Sequence, residues 1–442
     1  MAKENIKVEP TKELFIYMLT RDVGLENAII DLIDNSVDGA LSNSLNDDLS
    51  NFKIEITINK DYFLIEDNCG GIPIHIAREY AFKFGRPKDI IKQVGDVGQF
   101  GIGMKRTIFK LGNNVLIESK AIDSEFNLDL DIIKWTEDPT NWSFDLDVIS
   151  ENTNISLNET FTKVKIYNLH ESISESFSQG NFIGKLKTEI EEAHAYNLAK
   201  GLKILINTDN LEYHIPTLKS NDEIQMLSKT LYYYQNTDKE IKVRMFAGLN
   251  DRELNEAGWY IYCNNRLLVS ANKNMLTGWG ANGERKFHHD YAFFKGYVFF
   301  ESKNGDVLPW NTTKDGINFN SDVYQNVLLH MQTEMKPILS LLKDLGIETT
   351  RYNKDPDNVE RIIYDSISKL LDDKNKINLT MSISEQKLII PNYKLPSIRK
   401  MGTITYSKPI EELQEMMEHL GVSTYCDVGL ITYNYYKENE ME

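Results

Sequence analysis

Glu26-Asn-Ala-Ile-Ile-Asp-Leu-Ile-Asp-Asn-Ser-Val-Asp-Gly-Ala-Leu41 is the stretch around which the chain is organised. Its periodicity predicts a helix. Asp31, Asp34, Asn35 and Asp38 then fall at i, i+3, i+4 and i+7 on one face, while Ile29, Ile30, Leu32, Ile33 and Val37 supply the apolar remainder. Such a helix buries its apolar side and presents carboxylates and one carboxamide on the other. Hard cations such as Mg²⁺ prefer oxygen ligands of this kind, shared with substrate phosphates. A plain solvated acidic face is the competing reading, and the sequence downstream decides between them.

Downstream, Phe52-Lys-Ile-Glu-Ile-Thr-Ile-Asn59 alternates strictly and predicts a half-buried strand. A second strand, Tyr62–Glu66, runs into Asp67-Asn-Cys-Gly-Gly-Ile-Pro73. Paired glycines let the backbone turn tightly and approach a ligand closely, and a fixed carboxylate can accept a hydrogen bond from an exocyclic amine. Residues 74–97 read as a helix followed by a polar stretch. Gly98-Gln-Phe-Gly-Ile-Gly-Met-Lys-Arg-Thr-Ile-Phe-Lys-Leu-Gly112 then runs three glycines into a helix. Backbone N–H groups at that helix start, with Lys105 in the first turns, suit an anion such as phosphate. The run fits neither the dinucleotide fingerprint nor the P-loop ending.

Strands are expected at 114–119, 126–132, 142–149 and 162–167, a Ser-rich break at 170–182, and a helix at 184–198. The first domain is therefore helices with a mixed or antiparallel sheet. Residues 200–240 combine a short strand (203–207) with a polar, Tyr-rich stretch. Further strands are expected at 241–246, 258–263, 267–269 and 291–301, and a long helix over 321–345. Shorter helices fall near 10–20, 359–372 and 409–420. His288-His289-Asp290 reads as a polar loop, because adjacent residues on a regular element do not face the same way.

The composition is that of a globular protein, with 41% hydrophobic and 26% charged residues in 442. A net charge of −17 argues against a surface that coats DNA, although basic clusters occur at Lys83–Lys92 and Arg399–Lys408. No run approaches a membrane span. Met1-Ala-Lys-Glu-Asn-Ile-Lys lacks the apolar core of a signal peptide, and Cys69, Cys263 and Cys426 form no metal-ligand spacing. A reducing, cytoplasmic setting is the expectation.

The ordered set Asp-Asn-Ser-Val-Asp, Asp-x-x-Gly-Gly-Ile-Pro and Gly-x-x-Gly-x-Gly resembles the Bergerat ATP-binding fold of the GHKL superfamily: gyrase B subunits, ninety-kilodalton heat-shock chaperones, MutL proteins, histidine kinases and MORC proteins. The resemblance implies an α+β chain. A Bergerat-fold α/β sandwich (1–200) would be followed by a transducer-like α/β domain (201–345) and a mainly helical C-terminal region (346–442). It implies ATP and Mg²⁺ as ligands. Asn35 matches the magnesium ligand, and Asp67 the residue that reads the adenine amine. Gly98, Gly101 and Gly103 match the phosphate-proximal loop, with residues 74–97 as the lid. Thr162 matches the threonine that supports the adenine site. The implied binding set also takes in Asp38, Gly71, Ile72, Ile102, Met104 and Lys105.

Gly101–Gly112, Tyr-x-Asn-Asn-Arg-Leu-Leu at 262–268 and Leu-Pro-x-Asn-x-x-Lys at 308–314 resemble the MORC proteins most. There Lys314 matches a lysine that reaches the γ-phosphate, where a cation stabilises developing charge. Two positions depart from the pattern. The general base, a glutamate in the family, is Asp31, one methylene shorter; Glu26 faces elsewhere on the helix. The first glycine of the usual Asp-x-Gly-x-Gly is Cys69. The resemblance implies an ATPase of slow turnover that forms an ATP-bound homodimer with residues 1–20 contributing, and a client that is DNA or protein. The phospho-acceptor helix of a histidine kinase is not expected.

Overall fold

The computed structural model describes residues 10–46, 48–83, 102–235, 239–281, 283–311, 314, 316–357, 359–395 and 402–441. The chain divides into two compact units, Met1–Leu395 and Pro396–Glu442.

The larger unit contains two sheets. Helices α1 (Lys12–Thr20) and α2 (Leu25–Asn43) precede strands β1 (Lys53–Ile58) and β2 (Tyr62–Asp67). A short helix α3 (Ile74–Ile76) continues as one π-type turn to Ala81, and α4 (Gly103–Leu111) leads into β3 (Gly112–Lys120) and β4 (Ser124–Asp131). Then come α5 (Ile132–Glu137), β5 (Asp147–Glu151), β6 (Phe161–Leu169), α6 (Glu171–Phe177), α7 (Gly180–Ala199), β7 (Lys203–Ile206) and β8 (Asp209–Asn210). The eight strands order as β5-β4-β3-β6-β2-β1-β7-β8. All pairs are antiparallel except β1–β7, so the sheet is mixed, as its sequence implied. Alternation places Ile54, Ile56 and Ile58 in the core beneath α2, whose Ile29, Ile33 and Val37 are fully enclosed.

The second sheet is built from β9 (Thr217–Lys219), β10 (Leu227–Gln235), β11 (Lys239–Leu249), β12 (Gly258–Cys263), β13 (Arg266–Asn272), β14 (Phe294–Glu301) and β15 (Lys376–Asn378). Its order is β13-β12-β14-β11-β9-β15, with β10 also paired to β11. The 33-residue α8 (Asp322–Lys354) and α9 (Ile362–Asp372) pack into its core through Tyr324, Val327, Met331, Ile338, Ile363 and Ile367. α7 packs on β13 and so links the two sheets.

Several expectations shift. Residues 170–182 are not a break: α6 forms because Ile173 and Phe177, four apart, bury together. The strand expected at 142–149 begins only at Asp147, because Trp142 and Phe144 pack on Trp135 instead, with ring centroids 5.7 and 5.4 Å apart. The Tyr-rich stretch is the edge strand β10, in which Leu231 and Tyr233 pack inward while Tyr232 and Tyr234 stay exposed. The helix from Asp322 runs nine residues beyond 345, to Lys354. Of the helix expected after 74, only the portion to Lys83 is described, and residues 84–97 lie outside the described residues.

The smaller unit holds α10 (Ile410–Leu420) and α11 (Tyr425–Asn439), packed on each other. Gly421, at φ +68°, ends α10, and the Thr424 hydroxyl accepts the Asp427 N–H to cap α11. The α+β class and helical C-terminal region agree with the expectation. Among the described residues no helix is long and apolar enough to cross a membrane.

Candidate nucleotide site

The site begins at the end of β2. Antiparallel pairing sets Asp67 opposite Thr162 on β6, and β6 sets Thr162 opposite Ser119 on β3. Asp67 is buried. The Ser36 hydroxyl donates to its Oδ2 at 2.6 Å, and the Cys69 N–H donates to its Oδ1 at 2.8 Å. Burial pushes its carboxyl up to about 6 despite those two donors. The chain then turns through Gly70 (φ +117°) and Gly71 (φ +69°). A Cβ on Gly71 would stand 2.2 Å from the Lys120 carbonyl oxygen, so the turn requires glycine there even though Cys69 replaces the earlier one. Beyond it, the Ile72 N–H donates to Ser119 Oγ at 2.7 Å.

A cavity of about 80 Å³ opens at this corner. Asn35, Ser36, Gly39, Asp67, Gly71, Ile72, Met104 and Thr162 line it, with Leu32, Ile65, Cys69 and Val164. Six residues expected at the site, Asn35, Asp67, Gly71, Ile72, Met104 and Thr162, are thereby brought together. Asn35 is exposed on α2 and lines the cavity. Asp38 is half-buried on the same helix, and Ile102 half-buried just before α4. Gly98 and Gly101 lie outside the described residues. Gly103 opens α4 against α2, where a Cβ would approach Asp31 Cβ to 3.2 Å. Lys105 is buried, with its ammonium donating to the Ala81 carbonyl at 2.7 Å. Burial lowers its pKa to about 8.

The acidic face of α2 is not a solvated one. Asp31 and Asp34 are both buried, at 3% and 0% exposure. Arg106, on α4, reaches Asp31 Oδ2 at 3.4 Å. Arg266, at the start of β13, hydrogen-bonds Asp34 Oδ2 through Nη1 and stands 3.9 Å from Asp31 Oδ1. Lys314 donates to the same Asp34 Oδ2 at 2.9 Å. His194, on α7, brings Nε2 to 3.5 Å from Asp34 Oδ1, and neither atom has a hydrogen-bond partner among the described residues.

Burial raises Asp31 above the ordinary carboxylate range, against the pull of Lys314, Arg266 and Arg106. For Asp34 burial pushes the same way, but Arg266 and Lys314 hold it below the ordinary value. Burial also drives His194 down to about 4, so its imidazole is neutral at pH 7. The cluster thus sets three basic side chains against two carboxylates.

The sequence reading placed Asp34 on the acidic face of α2 but missed Arg106, His194 and Arg266 as members of this cluster. The Asn264-Asn265-Arg266 turn offered a signal, since it follows the largely apolar strand β12, and an arginine drawn inward at such a hairpin must meet a partner. His288, His289 and Asp290 do converge, contrary to the expectation. Their ligand-type atoms lie within 4.8 Å of one another, in a short 3₁₀ turn rather than on a regular element. His288 Nδ1 and His289 Nε2 stand 3.0 and 3.2 Å from the Asp290 carboxylate, all three on the surface.

No curated protein matches the chain. Residues 23–164 match the family described as histidine kinase-, DNA gyrase B-, and HSP90-like ATPase. The matched span encloses α2, the Asp67 turn, α4 and most of the sheet through Val164. Residues 23–164 are accordingly similar to an ATPase domain of the GHKL type.

Proposed function

We propose that the protein is an ATP-dependent conformational switch that binds and slowly hydrolyses Mg-ATP. The observation that carries this is the cavity where Asp67, Thr162 and Asn35 converge inside the matched family span. Asp67 would accept the adenine amine, with Thr162 beside it in the sheet. Asp31 and Asp34 face cations within the protein, so among the cavity-lining residues Asn35 is the oxygen donor suited to Mg²⁺. When bound there, Mg²⁺ would neutralise phosphate charge. Gly98, Gly101, Ile102, Gly103, Met104 and Lys105 complete the phosphate side, and Asp38, Gly71 and Ile72 the remainder of the binding set. Asp31 is the base, with Lys314 the cation for the terminal phosphate.

In this reading residues 1–200 bind nucleotide, residues 201–345 transduce its state, and residues 346–442 carry no assigned role. The ATP-bound form is a homodimer. α1 supports that: Lys12 is buried, donating to the Asp138 and Asn141 carbonyls at 2.6 and 2.7 Å, while Leu14, Tyr17 and Met18 stand exposed at i, i+3 and i+4. The client is DNA, as in a MORC- or MutL-like clamp. Retention on DNA that falls steeply with salt would support it, and binding indifferent to salt would count against it.

A second reading has its own support. The buried Asp31 lies close to Arg106 and Arg266, a poor setting for a proton acceptor reaching a water. The protein would then be a sensor that binds ATP with little or no hydrolysis and acts on a protein partner. Phosphate release from Mg-ATP, with Asn35→Ala as control, separates the two. Turnover abolished in the variant supports the switch. Nucleotide binding without release favours the sensor, and absence of both overturns the nucleotide reading.

A further inference from the structure

Asp34 is fully enclosed, yet one of its oxygens, Oδ2, accepts from two cations at once, Arg266 Nη1 and Lys314 Nζ. One carboxylate needs one cation. The two donors are not equivalent. Arg266 is 2% exposed and begins β13, where it pairs with Cys263 across the hairpin from β12. Its planar guanidinium also lies 3.9 Å from Asp31 Oδ1, so it faces both carboxylates of α2. Lys314 belongs to no strand or helix, holds φ at +52°, and approaches the same oxygen with a single ammonium. An ammonium on a flexible stem can swing between partners, whereas a guanidinium set into a strand between two acids cannot.

We infer that Arg266 is a positioning residue: it is the permanent partner of Asp34, it fixes α2 and Asp31 against the second sheet, and it thereby makes Lys314 the exchangeable partner, able to leave Asp34 for the terminal phosphate of a bound nucleoside triphosphate. A buried carboxylate stripped of its last cation is strongly disfavoured. With Arg266 in place, Lys314 can depart without leaving Asp34 in that condition. Without Arg266, Lys314 becomes the only strong cation on Asp34 and is held there. His194 cannot take over, because its Nε2 meets the other oxygen at 3.5 Å without a hydrogen bond.

This inference rests on the nucleotide reading above, and the test keeps the two apart. Calorimetric affinities of the full-length protein for ADP and for a non-hydrolysable ATP analogue, both with Mg²⁺, give the preference for the triphosphate. Arg266→Met is expected to lose that preference by about tenfold or more, the worth of one charge-assisted contact, with ADP affinity unchanged. Adding Asp34→Asn to Arg266→Met frees Lys314 and is expected to restore the preference. Lys314→Met loses it irreversibly, with or without Asp34→Asn. A merely structural arginine would lower both affinities together and would not be rescued by Asp34→Asn. Should Arg266→Met fail to fold, Arg266→Lys keeps the charge but not the reach to both acids, and a partial loss of preference is expected. An unchanged preference in the arginine variant, or no rescue, overturns the inference while leaving the nucleotide reading intact. Wild-type protein that binds neither nucleotide overturns both.

Discussion

Asp34 and Asp67 are two buried carboxylates of one domain, and they meet the cost of burial in opposite ways. Asp34 is paired with two basic side chains, Arg266 and Lys314, from positions 232 and 280 residues further along the chain. Its carboxyl is held low and stays ionised. Asp67 has only neutral donors, the Ser36 hydroxyl and the Cys69 amide, and its carboxyl rises to about 6. The first arrangement joins distant parts of the chain. The second is a local device, open to a cavity, that can still accept one more hydrogen bond. One carboxylate couples, and in the proposed reading the other recognises.

The largest effect that would break this contrast is on stability. Asp34→Ala leaves Arg266 and Lys314 buried without their shared partner and is expected to cost about 3–5 kcal/mol in denaturant unfolding. A loss below 1 kcal/mol would show that the cluster does not hold the sheets together.

Asp67→Ala acts on recognition instead. It should weaken ATP binding by roughly 10- to 150-fold, equivalent to about 1.5–3 kcal/mol for a hydrogen bond to a charged group, measured by titration calorimetry. Equal weakening of ATP and of ITP, whose base has no exocyclic amine, would argue against Asp67 as the reader of that amine.

Gly71→Ala tests whether the recognising corner is as locally determined as it looks. At φ +69°, with a Cβ driven into the Lys120 carbonyl, the substitution should destabilise the fold by about 1–3 kcal/mol and displace Ile72 from Ser119. Unchanged thermal unfolding would mean that the turn relaxes freely.

The smallest effect is the pH response. If the ionised form of Asp67 accepts the amine, as proposed, ATP affinity should be flat above about pH 7 and fall toward tenfold per unit below about 6. The sign for stability is the reverse. The folded state binds this proton more tightly than the unfolded one, so the contribution of Asp67 to stability is fully present below the ordinary aspartate value of 3.8 and is lost as pH rises to about 6. Asp67→Asn should remove both dependences. Retention of either in that variant would assign it to another group.

The recognising corner was legible in the sequence because it is built from neighbours. Strict alternation in 52–59 positioned β1, the glycine pair after Asp67 announced a turn that only glycine can make, and Gly103 marked the start of α4. The coupling cluster was not legible in the same way. Periodicity in 26–41 identified the face that carries Asp31, Asp34, Asn35 and Asp38 but not what that face meets, and a solvated acidic face reads identically to a buried one. Helix α6 was obscured for a related reason: its serines dominate the composition, while two apolar residues four apart decide the structure.

By itself, the sequence determined the local geometry of this protein: helix α2 with its acidic stripe, the strand that delivers Asp67, and the glycines that hold the turn. Those features depend on side-chain period and on φ, which a few adjacent residues control. Only the tertiary structure decided that Asp31 and Asp34 are buried, that Arg106, Arg266 and Lys314 neutralise them, and that Asn35 alone of that stripe lines the cavity. The reason is physical. A charge can enter the interior only where an opposite charge arrives to meet it, and that arrival depends on how two sheets pack rather than on any one stretch of the chain.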